Sequence, residues 1–263
     1  MNTELIVGEI KIICENTGKF IRSHFGQLNE NQIITKSKNS LVSFVDQQAE
    51  KMIIESLVKI LPEAAFMTEE AMIKNSENEY QWIVDPLDGT TNYMVGIPHF
   101  SISIALKKND EVILGVVYDV MQQDLYHAVV GKGAFVNENK IHVADSKKLD
   151  ECAIATGFPY DKGLIGEAHQ NTLMYFVKNA RILRRLGSAA LDLCFVAKGT
   201  FDLYYEKHLN AWDIAAGSLI VQEAGGTIID FSKGQNYLAC GEIIAFAPGL
   251  EEEAEKIIGF FEN

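Results

Sequence analysis

Trp82-Ile83-Val84-Asp85-Pro86-Leu87-Asp88-Gly89-Thr90-Thr91-Asn92-Tyr93 is the stretch on which the whole chain turns. An apolar strand runs into Asp85. Pro86 bars a helix at that point and biases Asp85 toward an extended conformation. The chain can then curve so that Asp85 and Asp88 face one point, with the Leu87 carbonyl between them. Two carboxylates and a carbonyl are hard oxygen donors of the kind that suit Mg²⁺. Gly89-Thr90-Thr91 reads as a helix start, whose free N–H groups and dipole suit an anion. Taken by itself, the segment reads as an ordinary Asp/Pro/Gly turn with Asp88 capping the helix. The acids elsewhere in the chain tip that balance.

Glu69-Glu70 ends another apolar strand. Neighbours in an extended chain point opposite ways, so Glu69 is expected to face the ions and Glu70 to act from behind or through water. Asp213 lies in Ala211-Trp212-Asp213-Ile214-Ala215-Ala216-Gly217, at the start of a helix whose small residues allow close packing. Asp46 heads a helix after Lys36-Ser37-Lys38-Asn39-Ser40. Each has a plain alternative: Asp213 as an N-cap, Asp46 as a dipole partner, Lys36 and Lys38 as solvated charges.

Working outward, residues 1–61 read as two helices, Leu5–Phe25 and Val45–Leu61, joined by a polar loop over Asn29–Asn39. Pro62 stops the second helix. Strands follow at Ala64–Thr68, Trp82–Val84, His99–Lys107, Val112–Tyr118, Leu125–Val130 and Ala134–Val136. In His99–Lys107, Ile102, Ile104 and Leu106 share one face. Short turns between these strands predict an antiparallel sheet. After about residue 150 strands and helices alternate, with helices at Ile165–Val177, Ala189–Ala197, Asp213–Glu223 and Leu250–Phe261, which predicts an α/β layer. The division falls at 1–148, carrying most candidate ion ligands, and 149–263, carrying Asp213.

The 263 residues include 48% hydrophobic side chains, enough for a sizeable core. Net charge is −13, from 23 basic and 36 acidic residues. That balance disfavours direct nucleic-acid binding but not a phosphate ester held with metal ions. Cys14, Cys152, Cys194 and Cys240 form no C-x-x-C pair and no zinc spacing, so buried thiols in a reducing cytoplasm are expected. Met1 to Phe25 reads as an amphipathic helix rather than a signal peptide, and no apolar run reaches the ~18 residues of a membrane span.

Together these pieces resemble the inositol monophosphatase family over nearly the whole chain. Two motifs carry the likeness: D-P-x-D-G-T as Asp85-Pro86-Leu87-Asp88-Gly89-Thr90, and W-D-x-A-x-G as Trp212-Asp213-Ile214-Ala215-Ala216-Gly217. Glu69-Glu70 fits as well, although Thr68 stands where the family usually has Gly. The resemblance implies an α+β fold of five layers, αβαβα, with an antiparallel N-terminal sheet and a mixed C-terminal half. It implies a homodimer that uses Mg²⁺, two to three ions per subunit, and is inhibited by Li⁺. Glu69, Asp85 and the Leu87 carbonyl would hold one ion; Asp85, Asp88 and Asp213 a second; a third would lie near Glu69. Thr90 and Asp46 would orient the attacking water, and Gly89 and Thr90 would donate N–H groups to phosphate. Glu206 and the turn Gly187-Ser188-Ala189 would meet the substrate hydroxyls, beside Asp213.

The implied reaction is hydrolysis of myo-inositol monophosphate by a metal-activated water. Related enzymes act on fructose 1,6-bisphosphate, NADP(H) or 3′-phosphoadenosine 5′-phosphate. Glu206 favours a hydroxyl-rich ring, because a carboxylate accepts several O–H bonds. Arg184-Arg185 is either a strand-end charge pair or a binding element for a second phosphate. A reading of another class is a partner-binding protein, since some bacterial members of the family associate with the transcription machinery. The chain has no P-loop, no H-E-x-x-H and no nucleophile elbow.

Overall fold

The computed structural model describes residues 3–27, 33–37, 40–70, 78–145 and 148–262. Helix α1 (Thr3–His24) buries Ile6, Ile10, Ile13, Cys14, Thr17 and Ile21, a stripe spaced at three and four residues. Helix α2 (Phe44–Ile60) carries two such stripes side by side. Val45, Ala49, Ile53 and Leu57 enter the core, while Asp46 and Glu50 are buried one position further round. Between these helices lies a correction. The polar loop expected over Asn29–Asn39 holds an antiparallel pair, β1 (Ile33–Ser37) with β2 (Ser40–Ser43). Ile33, Ile34 and Thr35 are β-branched and suit extended chain, and the surrounding Lys, Asn and Ser masked that signal. Lys38 and Asn39 fall outside the described residues.

Seven strands follow: β3 (Ala65–Thr68), β4 (Tyr80–Asp88), β5 (Ser101–Lys108), β6 (Glu111–Asp119), β7 (Asp124–Val129), β8 (Gly133–Val136) and β9 (Asn139–Ile141), hydrogen-bonded in that order into one sheet. A short helix, α3 (Thr90–Val95), leaves the end of β4. The sheet is not wholly antiparallel as expected, because β3 and β4 run parallel, with Thr68 opposite Val84. The departure matters, since two parallel strands end at the same edge. Glu69 therefore leaves β3 beside Asp85 on β4.

The second sheet is mixed, as the resemblance implies. Its order is β11 (Ile182–Arg184), β10 (Ala153–Thr156), β12 (Leu203–Lys207), β14 (Glu242–Phe246) and β13 (Thr227–Ile229). β10 pairs parallel with β11 and β12, while β14 is antiparallel to both its neighbours. Helices α4 (Glu167–Asn179), α5 (Ala189–Ala197), α6 (Ala211–Glu223), α7 (Tyr237–Cys240) and α8 (Glu251–Glu262) complete the chain.

Hydrophobic contacts sort these elements into five layers. α1 and α2 cover one face of the large sheet. α5 and α6 fill the space between the sheets, and α4 and α8 cover the far face of the small sheet. α6 is accordingly buried all round, from Ile214 to Val221. Small residues let it approach closely: a Cβ on Gly115 would lie 2.6 Å from the Ala216 carbonyl. The alternation foreseen for β5 is present, with Ile102, Ile104 and Leu106 in the cluster under α1 and α2 and Ala105 in the cluster around α6.

Among the described residues no helix is long and apolar enough to cross a membrane. Cys14, Cys152 and Cys194 are buried free thiols; Cys240, expected to be buried as well, ends the short helix α7 and is exposed.

Candidate active site

One end of β3, β4 and β12 meets the starts of α3, α5 and α6, and a cleft opens there. Glu69, Asp85, Leu87, Asp88, Gly89, Thr90, Glu206 and Asp213 all line it. A register shift explains how Asp85 and Asp88 share one wall. Asp85 pairs with Ser103 and Asp88 with Ser101, so β4 carries one extra residue across that interval. Positions three apart on a regular strand face opposite ways, and the bulge restores them to the same side.

Each group is held by short bonds. The Leu87 N–H donates to Asp85 Oδ1 at 2.9 Å. The Thr90 hydroxyl lies 3.0 Å from Asp46 Oδ1 and 2.9 Å from the Leu87 carbonyl. It has one proton, so it donates to one of these at a time. Asp46 is only 1% exposed, which sets aside a solvated dipole partner. Gly89 has φ +94, and a Cβ there would lie 3.1 Å from the His99 carbonyl and 3.3 Å from the Gly187 carbonyl. The positive φ favours glycine at that position, and the close carbonyls leave little room for a side chain. Glu70 turns away from the cleft, toward Gln47, Glu50 and Lys51, and its N–H donates to Glu50 Oε2 at 2.9 Å.

The opposite wall comes from the second half of the chain. Ser188, the N-cap of α5, donates to Asp88 Oδ2 at 2.5 Å, and the Ala190 N–H donates to the same oxygen at 2.9 Å. The hydroxyl of the turn Gly187-Ser188-Ala189 is thus committed to Asp88, which leaves Ala189 and the backbone to face the cleft. Asp213 Oδ2 accepts from the Asn210 N–H at 2.6 Å, a capping bond that aims the carboxylate. The Tyr204 hydroxyl donates to Glu206 Oε2 at 2.6 Å. A Cβ on Gly157 would collide with the Glu206 carboxylate, so that glycine makes its room.

The electrostatics follow from so many acids in one place. Burial raises the Asp85 carboxyl well above the usual range, and Glu69, Asp88 and Asp213 add to it. Burial lifts Asp88 to about 6 against the bonds from Ser188 and Ala190. Asp213 is raised by burial, by Asp88 and by Glu69, in spite of its bond from Asn210. Glu206 is raised to about 7, again by burial first. These acids cannot all stay ionised without added positive charge. Among the described residues no three Asp, Glu, His or Cys side chains form a ready-made metal cluster. The donors that converge are nonetheless carboxylates and one carbonyl, the set that suits a hard divalent cation, and cation binding would relieve their repulsion.

Several lining residues went unnoticed in the sequence: Phe158, Pro159, Tyr160, His208, Leu209 and Asn210. Gly157-Phe158-Pro159 follows the C-terminal end of β10, the place where α/β layers put ligand loops, and that position was the available signal. His208 is left-handed, with φ 66. Asp192 was missed too. It is 1% exposed on α5, and its Oδ1 has no hydrogen-bond partner.

Comparison with known proteins gives the family. The chain matches the inositol monophosphatase family over residues 1–263. It belongs to that family of phosphatases. A Rhizobium meliloti relative named inositol-1-monophosphatase is 41% identical over 92% of this chain and 91% of its own. A Haemophilus influenzae relative named Nus factor SuhB is 42% identical over 93% and 92%. Among solved structures, the extragenic suppressor protein suhB of Bartonella henselae superposes with a TM-score of 0.91 at 34% identity, covering 97% of this chain and 98% of that one. The IMPase of Thermotoga maritima gives 0.87 at 31% identity, covering 96% of each chain.

Proposed function

We propose that this phosphatase hydrolyses the monophosphate ester of a small polyol, myo-inositol monophosphate before others, with Mg²⁺. The observation that carries this is the convergence of Glu69, Asp85, Asp88 and Asp213 on one cleft beside the Gly89–Thr90 helix start. Glu69, Asp85, the Leu87 carbonyl, Asp88 and Asp213 would hold two to three ions per chain. Bound Mg²⁺ would supply Lewis acidity toward the phosphoryl oxygens and a lowered water pKa.

The chain's own groups divide the remaining work. With its proton directed to Asp46, Thr90 Oγ1 turns a lone pair to the cleft and accepts a hydrogen bond from the attacking water. The first N–H groups of α3 have no partner within the helix and face the phosphate. Glu206, braced by Tyr204, accepts from substrate hydroxyls and fixes the ring. Water attacks phosphorus directly as the P–O bond to the polyol breaks, and the departing alkoxide takes up a proton, so phosphate and the free alcohol are released and no phosphoenzyme forms. A homodimer in a reducing cytoplasm belongs to the same reading, and four unbridged cysteines suit that compartment.

The substrate test compares kcat/KM for phosphate release from inositol 1-phosphate, fructose 1,6-bisphosphate, NADP and 3′-phosphoadenosine 5′-phosphate, with and without Li⁺. Inositol 1-phosphate is expected to lead, with Li⁺ inhibiting. Turnover of none would overturn the proposal.

A second reading has its own support, because several relatives carry the name Nus factor SuhB. A partner-binding role tied to the transcription machinery would survive loss of catalysis. Rescue of a deletion phenotype by Asp88→Asn would favour it; failure of rescue would favour the enzyme alone.

A further inference from the structure

The cleft has two compartments that meet along a common boundary. Glu69, Asp85, Gly89 and Thr90 line one, and Gly187, Ser188 and Ala189 line the other. Asp88, Glu206 and Asp213 border both, and so do Phe158, Tyr160 and Leu209. The three acids serve cations and hydroxyls. The two aromatic rings and the leucine can serve neither, yet they stand at the same boundary, where the alcohol of a substrate joins its phosphate.

The loop after β10 sets the two rings side by side. Phe158 precedes Pro159, which biases it toward extended backbone. Residues two apart in an extended chain share a side, and Phe158 and Tyr160 both reach the cleft. The loop is tied at each end. The Thr156 hydroxyl donates to the Tyr205 carbonyl at 2.9 Å, and Asp161 Oδ1 accepts from the Gly163 N–H at 2.9 Å. Pro159 between them is buried. Tyr160 is nonetheless 55% exposed. Its ring stands out from an anchored loop into the open cleft, and a large aromatic surface so placed is area that a bound ligand covers.

We infer that Tyr160 determines specificity on the alcohol side, its ring packing against the C–H face of a cyclic polyol. This inference rests on the phosphomonoesterase reading above. A cyclitol or sugar ring carries hydroxyls around its rim and C–H groups on its faces. Glu206 accepts from the rim. The flat ring of Tyr160 covers a face, burying apolar area and setting its negative π cloud against the partly positive C–H hydrogens. An acyclic alcohol has no such face, so the contact separates ring from chain. The phenol hydroxyl is not needed for it.

The test measures kcat/KM for inositol 1-phosphate and the acyclic 2-glycerophosphate side by side, in wild type, Tyr160→Phe, Tyr160→Leu and Tyr160→Ala, with a thermal melt of each. Tyr160→Phe keeps the flat ring and should hold the ring-to-chain ratio within about twofold of wild type. Tyr160→Ala should lower that ratio about tenfold, through KM with kcat little changed, the scale of one aromatic face left uncovered. Tyr160→Leu keeps bulk without the flat face. Its ratio should fall between the two, and it carries the test should Tyr160→Ala not fold. A ratio unchanged in Tyr160→Leu and Tyr160→Ala, equal losses on both substrates, or a Tyr160→Phe as poor as Tyr160→Ala would overturn the inference. Wild type that hydrolyses 2-glycerophosphate but not inositol 1-phosphate would overturn it alone. Wild type that hydrolyses neither would overturn the phosphatase reading beneath it.

Discussion

The two walls of the cleft are built differently. On the β4–α3 wall, Asp85, Leu87, Asp88 and Thr90 are each under 10% exposed, and a bulge, a glycine at φ +94 and main-chain bonds hold them. On the facing wall, Arg185, Tyr160 and His208 are exposed, and loops or strand ends carry them. The first wall can serve only one geometry. The exposed rim of the second, Arg185, Tyr160 and His208, lies outside both sheets. The β4–α3 wall thus sits on fixed backbone, whereas the facing wall joins fixed groups, Ser188 and Asp213, to an exposed rim.

The largest effect should come from breaking the fixed wall at its centre. Asp88→Asn keeps shape and loses charge, so kcat should drop by about 10³ or more with the unfolding midpoint little changed. Steady-state kinetics and a thermal melt check both halves, and retention of more than a few per cent of activity would refute the assignment. Glu206→Gln, on the open wall, should cost about tenfold in kcat/KM for inositol 1-phosphate, mostly through KM, because a hydroxyl acceptor is weakened but no reacting atom is touched.

Proton and cation should compete where the carboxylates of the two walls converge. Asp85, Asp88 and Asp213 have raised pKa values, so without a cation they hold protons toward neutrality. Cation binding must expel those protons, and the apparent Mg²⁺ affinity should weaken as pH falls from about 8 to about 6. Fluorescence of Trp212, next to Asp213, offers a readout; affinity flat across that window would contradict the sign.

Away from both walls, Gly115→Ala drives a methyl against the Ala216 carbonyl and should cost about 1–3 kcal/mol of stability by denaturant melt.

Much of the fold was legible because local pattern decides it. Helix α5 occurs as read, Ala189–Ala197, from a capping serine to a closing glycine. The parallel pairing of β3 was not legible: residues 69–79 offer no pattern that tells a return from a crossover, and consecutive strands read more simply as antiparallel neighbours. The β1–β2 pair was lost among polar residues. At the site, the acids of the two motifs could be found because residue type and spacing announce hard-oxygen chemistry. Ser188 holding Asp88 across 100 residues could not, nor could Asp192 or the brace from Tyr204. Those contacts exist only once the two sheets meet across α5 and α6.

The most direct test counts divalent cations. Calorimetric titration of Mg²⁺ into the chelator-treated chain should show at least two sites, and Asp88→Asn should lose one while keeping its fold. No binding in the wild type, or an identical isotherm for the variant, would contradict the claim that these carboxylates gather around metal.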